Sequence, residues 1–195
     1  MLVSYFLIAL LVYIINVIPF FMPATWTVLS FIAIRYQIPL IPIILVGATS
    51  ATLGRLTLAK LSQTVLREKI LSEKTRKNID QIRLHLEKKT VLTFSLILFY
   101  TFSPFASNQL FIAYGMTKMD LKLIAIPFFI GRLISYSLFT FGVSKLVQKV
   151  LPFSVTAVFT SYFIVIQFLT IILLYLFAKI DWGELLNKHK IKLIK

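Results

Sequence analysis

Two hydrophobic segments of the chain are broken at their centres by proline and hydroxyl residues, and each break is followed by a Gly-Arg-Leu in apolar surroundings. The first break is Val17-Ile18-Pro19-Phe20-Phe21-Met22-Pro23-Ala24-Thr25-Trp26, with Gly54-Arg55-Leu56 downstream. The second is Thr101-Phe102-Ser103-Pro104-Phe105-Ala106-Ser107-Asn108-Gln109, with Gly131-Arg132-Leu133 downstream. Proline removes a backbone donor and clashes with the preceding turn, so neither segment can be one uninterrupted helix. In lipid, broken backbone survives only where protein or a polar cavity surrounds it. Paired interruptions in corresponding positions of two halves point to a transporter-like site near the bilayer midplane. An arginine at that depth is costly, which makes it a functional candidate.

Composition places the chain in a membrane. It is 58% hydrophobic with only 14% charged residues, and its mean hydropathy is +0.89. A soluble domain carries about 25% charged residues and could not bury so much apolar surface. There is no cysteine, hence no disulfide, thiolate nucleophile or Cys-ligated metal. His85 and His189 are isolated in polar stretches, which gives no metal site and no cofactor. The N-terminus lacks the basic region and cleavage site of a secretory signal and reads as a retained membrane segment.

The net charge of +14 is clustered rather than spread: nine of the 21 Lys and Arg residues lie between Lys60 and Lys89, and five between Lys179 and the C-terminus. Such clusters flanking apolar segments mark the cytoplasmic side and its anionic lipids, not a nucleic-acid partner. If both are cytoplasmic, an even number of crossings separates them, yet three apolar stretches lie between. One must therefore enter and leave on the same side. The stretch 91–117 is the one that Pro104 divides, into half-helices at about 92–102 and 108–116, each too short to span. Ser107 is the expected N-cap of the second half, and Thr25 takes its place in the first break.

The expected fold is an all-α integral membrane protein with about four transmembrane helices and two re-entrant hairpins in an inverted repeat. After a span to about Ile15 comes a first hairpin at 16–35 with a span at 38–59, then a cytoplasmic amphipathic segment at 61–90. A second hairpin at 91–117 follows with a span at 121–146, a final span at 154–178 and a basic tail at 179–195. Both termini are expected in the cytoplasm, the membrane being the plasma (inner) membrane. Lys60-Leu61-Ser62-Gln63-Thr64-Val65-Leu66 also matches Lys145-Leu146-Val147-Gln148-Lys149-Val150-Leu151, but in a register that the Gly-Arg-Leu pair does not share without a gap. In 61–90, Leu61, Val65, Ile70, Ile79, Ile82 and Leu86 form an approximate helical stripe between basic residues, which suits a helix lying on the cytoplasmic interface. Pro39 and Pro42 shape a span start, and Gly47, Ala48, Ala51 and Gly54 allow close helix packing. Trp182, Tyr175 and Lys179 are interfacial anchors, Trp26 is either a site residue or an anchor, and either arginine could instead snorkel to an interface.

Several short patterns carry a family likeness. Asn-x-x-Pro-x-x-x-Pro-x-Thr-Trp at 16–26, Gly47-Ala48-x-x-Ala51-Thr52-x-Gly54-Arg55, Phe102-Ser103-Pro104 with Ser107-Asn108 and Gly115, and Phe128-Phe129-x-Gly131-Arg132-x-x-x-Tyr136 resemble the DedA family, also called the VTT or SNARE-associated Golgi protein family. The resemblance spans roughly residues 15 to 146. It implies two facing re-entrant hairpins and lipid translocation, of the undecaprenyl phosphate carrier in bacterial members and of phospholipids in eukaryotic relatives. On that basis Asn16, Pro19, Pro23, Thr25, Ser103, Pro104, Ser107 and Asn108 at the hairpin tips, with Arg55 and Arg132, would line the path. One departure matters. Many members carry acidic residues in the membrane region, whereas here no Asp or Glu precedes Glu68 and only Asp120 occurs between Val91 and Ala178. A proton relay lacks its groups, so passive scrambling or another coupling fits better.

Two half-helix N-termini and two guanidinium groups would make a cationic pocket, and arginine's planar fork suits phosphate oxygens. The expected function is flipping or scrambling of a phosphate-bearing lipid, with anionic-headgroup lipids as partners and self-association into a homo-oligomer left open. The alternatives are a small-anion transporter or channel using the same pocket, and a non-transporting scaffold that recruits a partner through 61–90. An enzyme is disfavoured, since the membrane part offers no acid–base pair.

Overall fold

A computed structural model describes residues 2–19, 22–87, 90–102, 107–147, 172, 179 and 180. Ser103 and Pro104, most of the expected final span at 154–178 and the tail beyond 180 lie outside the described residues. The elements are all helical: α1 (Leu2–Val17), α2 (Thr25–Tyr36), α3 (Leu40–Leu61) continued by a π-helical segment (Ser62–Ile70), α4 (Glu73–Glu87), α5 (Thr90–Phe102), α6 (Asn108–Thr117) and α7 (Lys122–Val147).

The helix boundaries follow the breakers. Pro23 lies just before α2, Pro39 takes the N-cap position of α3, and Pro42 falls in the first turn of α3, where backbone N–H groups have no intrahelical acceptor anyway. Pro127 is inside α7, so the carbonyl of Leu123 loses its helical donor there. α2 and α6 both end on a left-handed residue, Gln37 (φ 51°) and Lys118 (φ 59°). Each turns the chain into the long helix that follows.

Among the described residues two helices are long and apolar enough to cross a membrane, by length and composition: Leu40–Ile70, with 31 residues, and Lys122–Gly142, with 21. α1 has 16 residues, about 24 Å at 1.5 Å per residue, against an apolar bilayer core of about 30 Å. It ends at Val17, close to the expected limit at about Ile15, and α2 begins beyond the break. The second break falls as expected, between α5 and α6.

The two halves pack reciprocally. α1 packs most heavily on α3, and α5 on α7. The second arms cross over, α2 to α7 and α6 to α3. Glycines permit the closest of these approaches. A Cβ on Gly54 would stand 2.7 Å from the Tyr13 carbonyl and 2.8 Å from Asn16 Cβ in α1, and one on Gly131 would collide with Thr101 Oγ1 in α5. Both members of the Gly-Arg-Leu pair therefore seat a long helix on the end of its own first arm. The leucines cross over instead: Leu133 packs on the core of α1, α2 and α3 built from Ile8, Val12, Leu29 and Ala48, and Leu56 on the core of α5, α6 and α7 built from Ile97, Phe111 and Phe128. Trp26 stacks on Phe139 at 5.3 Å between ring centroids, joining α2 to α7, and is a packing residue.

The polar segment departs from expectation. It is not one interfacial helix: the π-helical continuation breaks at Leu71–Ser72, and α4 begins beyond, with the Thr75 N–H donating to Ser72 Oγ at 3.3 Å. Ile79 and Ile82, expected against lipid, are buried; Ile79 packs on Leu58, Ile112 and Met116 of α3 and α6. Leu61, Val65 and Ile70 of the same stripe remain exposed. Amphipathic spacing says that a face is apolar, not what covers it.

Large apolar side chains also stand open on the outside of the bundle, among them Phe6, Phe31, Leu53, Phe99 and Leu138. Exposure of this kind on α1, α2, α3, α5 and α7 far exceeds the scattered apolar residues of a soluble surface.

Candidate functional site

The long helices carry one arginine each toward the breaks. Arg55 of α3 is buried, and its Nε donates to Ser107 Oγ at 3.1 Å. Arg132 of α7 donates from Nη2 to the same oxygen at 3.0 Å. Ser107 occupies the N-cap position of α6 but makes no side-chain cap bond, which corrects the expected capping role. Its hydroxyl serves the arginines instead.

The first break closes on the same place. Arg55 Nη1 donates to the carbonyl of Asn16 at 2.8 Å, one of the orphan carbonyls at the end of α1. Asn16 in turn donates from Nδ2 to Val12 O at 2.8 Å and to Thr25 Oγ1 at 3.0 Å. Thr25, the first residue of α2, thus accepts a side-chain amide rather than capping its helix. Asn108, the first residue of α6, reaches across to the other break and donates to the carbonyls of Ile18 and Pro19. Of the expected residues, Asn16, Thr25, Arg55, Ser107 and Arg132 form one hydrogen-bonded network, and Asn108 with the Pro19 carbonyl forms a second contact beside it. Pro23 is exposed and takes part in neither; Ser103 and Pro104 lie outside the described residues.

Two residues of the site were not among those expected. The Arg132 guanidinium carbon sits 4.9 Å from the centroid of the Phe128 ring and 5.7 Å from that of Tyr136. Cation–π contact of this kind offsets part of the cost of burying the charge. The signal was present in the sequence, since 128, 132 and 136 are spaced one helical turn apart on one face.

The electrostatics are one-sided. Two like charges held within about 6 Å of one another by a shared oxygen repel, more strongly in a desolvated site than in water. Among the described residues no carboxylate pairs with either guanidinium. Arg132 Nε is buried and has no hydrogen-bond partner among them. With both lone pairs of its oxygen turned to guanidinium donors, Ser107 can meet a ligand only as a donor. Around Ser107 the guanidinium groups and the hydroxyl proton present donors and positive charge, which suits an oxyanion, while the amide oxygens of Asn16 and Asn108 are acceptors. Arg55 is buried between the two breaks, where its partners are Ser107 Oγ and the Asn16 carbonyl. No group of three or more His, Cys, Asp or Glu that could hold a metal occurs among the described residues. No family model matches the chain, and no curated protein or solved structure matches it.

Proposed function

We propose that the chain is a multi-pass membrane protein that moves a phosphate-bearing lipid headgroup between leaflets, through the polar site where its two broken segments meet. The observation that carries this reading is the pair of arginines converging on Ser107 with no carboxylate among the described residues to balance them. A lipid phosphate supplies the missing charge, and its oxygens match the guanidinium fork. The acyl chains stay in the bilayer while the headgroup takes the polar route. The crossing-length helices and the open apolar side chains support a membrane setting. The reciprocal packing of the halves is the arrangement that an inverted repeat would give. The motif likeness to DedA proteins supports the same substrate class. The hydrogen-bonded network holds no acid that could relay a proton, so the transfer is scrambling.

A small-anion transporter is the second reading, because the donors recognise the anionic group and not the tail. The scaffold reading is weaker, since Ile79 and Ile82 of α4 are spent on the chain's own core.

The test is leaflet exchange in liposomes of a fluorescent phospholipid and a polyprenyl phosphate. Exchange faster than in protein-free liposomes and slowed by Arg132→Ala is expected. Protein-free rates for both lipids would refute the reading, and anion uptake without lipid movement would favour the second.

A further inference from the structure

At the end of α6 remote from Ser107, a second set of buried polar contacts has no part in the proposed transfer. Arg67 of the π-helical segment is 6% exposed. Its Nη2 donates to both carboxylate oxygens of Asp80 in α4 at 2.9 Å, and its Nη1 donates to the carbonyl of Met116 at 2.6 Å. Ser62 Oγ donates to the carbonyl of Ile112 at 2.7 Å. Both carbonyls belong to α6, one turn apart.

The π-helical winding explains how two residues five apart in sequence reach the same helix. In an α-helix, with 3.6 residues per turn, side chains 62 and 67 would point roughly 140° apart. Bonds from i to i+5 bring residues five apart to about one turn, on the same face. A π segment is costly, and it persists here where Ser62 and Arg67 both seat α6. Ile79 of α4 completes the seat by packing on Ile112 and Met116.

The geometry points to Arg67, held in place by Asp80, as a positioning residue that fixes α6 along its axis and so sets the height of Ser107 between Arg55 and Arg132. α6 has ten residues, about 15 Å of helix, short enough to shift as one rod. The seating rests on these contacts alone; its effect on a ligand rests on the phosphate-lipid reading.

The test uses the full chain in detergent, with hydrogen exchange of the α6 amides and binding of short-chain phosphatidic acid as readouts. Asp80→Asn removes the charge and keeps the shape. It is expected to speed exchange in α6 selectively, by about tenfold, and to weaken phosphatidic-acid binding by a similar factor. Arg67→Lys, which keeps the charge but loses the fork, is expected to do the same more mildly and serves if Asp80→Asn does not fold. Glu73→Gln, which breaks the exposed pair with Lys77 within α4, is expected to change neither readout. Unchanged α6 exchange, an acceleration spread evenly over all helices, or faster α6 exchange with unaltered affinity would overturn the proposal. If wild-type protein binds no phosphatidic acid, the transfer reading fails, while exchange still decides the seating.

Discussion

Arg55 and Arg132, one on each long helix, donate to a single oxygen, Ser107 Oγ, at 3.1 and 3.0 Å. A hydroxyl carries no charge, so it orders the two guanidinium groups without neutralising them. An organised but unneutralised pair is a site shaped for an anion.

Two substitutions at Ser107 separate order from charge. Ser107→Ala removes the shared acceptor and is expected to lower stability by about 1.5–3 kcal/mol, the scale of hydrogen bonds to charged groups, and to weaken phosphatidic-acid binding. Ser107→Asp supplies a permanent anion where the ligand phosphate would sit. Binding should again be lost, but stability should hold or rise. Thermal unfolding of both variants, beside lipid binding, reads the difference.

Arg132→Ala is expected to weaken phosphatidic-acid binding by at least about tenfold, or 1.4 kcal/mol. Lys122→Ala, at an exposed position on the same helix, should leave it unchanged. Arg132→Lys should recover only part of the affinity, since an ammonium lacks the planar fork. Equal affinities for wild type and Arg132→Ala would remove the residue from the site.

Much of this site is visible in the sequence, and the reasons for the misses are specific. The breaks near Pro19–Thr25 and before Asn108 are legible because proline acts locally on backbone geometry. Ser107 was picked out as a cap, whereas its partners are arginines brought in by tertiary packing, which cap propensity cannot report. Nothing in Ile14-Ile15-Asn16-Val17 breaks a helix, so the exact end of α1 at Val17 carries no local signal beyond Pro19 ahead of it. No local signal marks Ser62–Ile70 as π-helical, because the gain comes from α6. For the repeat, the packing of Gly54 and Gly131 favours the Gly-Arg-Leu alignment; part of the competing match, beyond Val147, lies outside the described residues.

The glycines make a prediction about packing that is independent of function. Gly115→Ala would drive a methyl into the carbonyl of Ala59, where backbone cannot yield, and Gly54→Ala would press on the Tyr13 carbonyl. Each is expected to cost about 1–3 kcal/mol, the usual scale of overpacking. Gly142→Ala meets nothing within 4 Å and should stabilise α7 by about 0.5–1 kcal/mol. Thermal or denaturant unfolding of the three variants checks the contrast.

The Asn108 amide is the direct link between the breaks. Asn108→Leu keeps the approximate size of the side chain and removes the donor, leaving the Pro19 carbonyl without it. We predict faster hydrogen exchange at residues 18 and 22–27 with little change in α4, measured on the full chain in detergent. Equal protection in wild type and variant would show that Asn108 does not hold the breaks together.

The most direct measurement is the position of phosphorus in a map of the protein in nanodiscs that contain polyprenyl phosphate. The account predicts a phosphate within hydrogen-bond reach of Arg55, Ser107 and Arg132, and its loss in the Ser107→Asp variant. An ordered lipid phosphate elsewhere on the protein, with the arginine pair unchanged and no anion between the breaks, would contradict it.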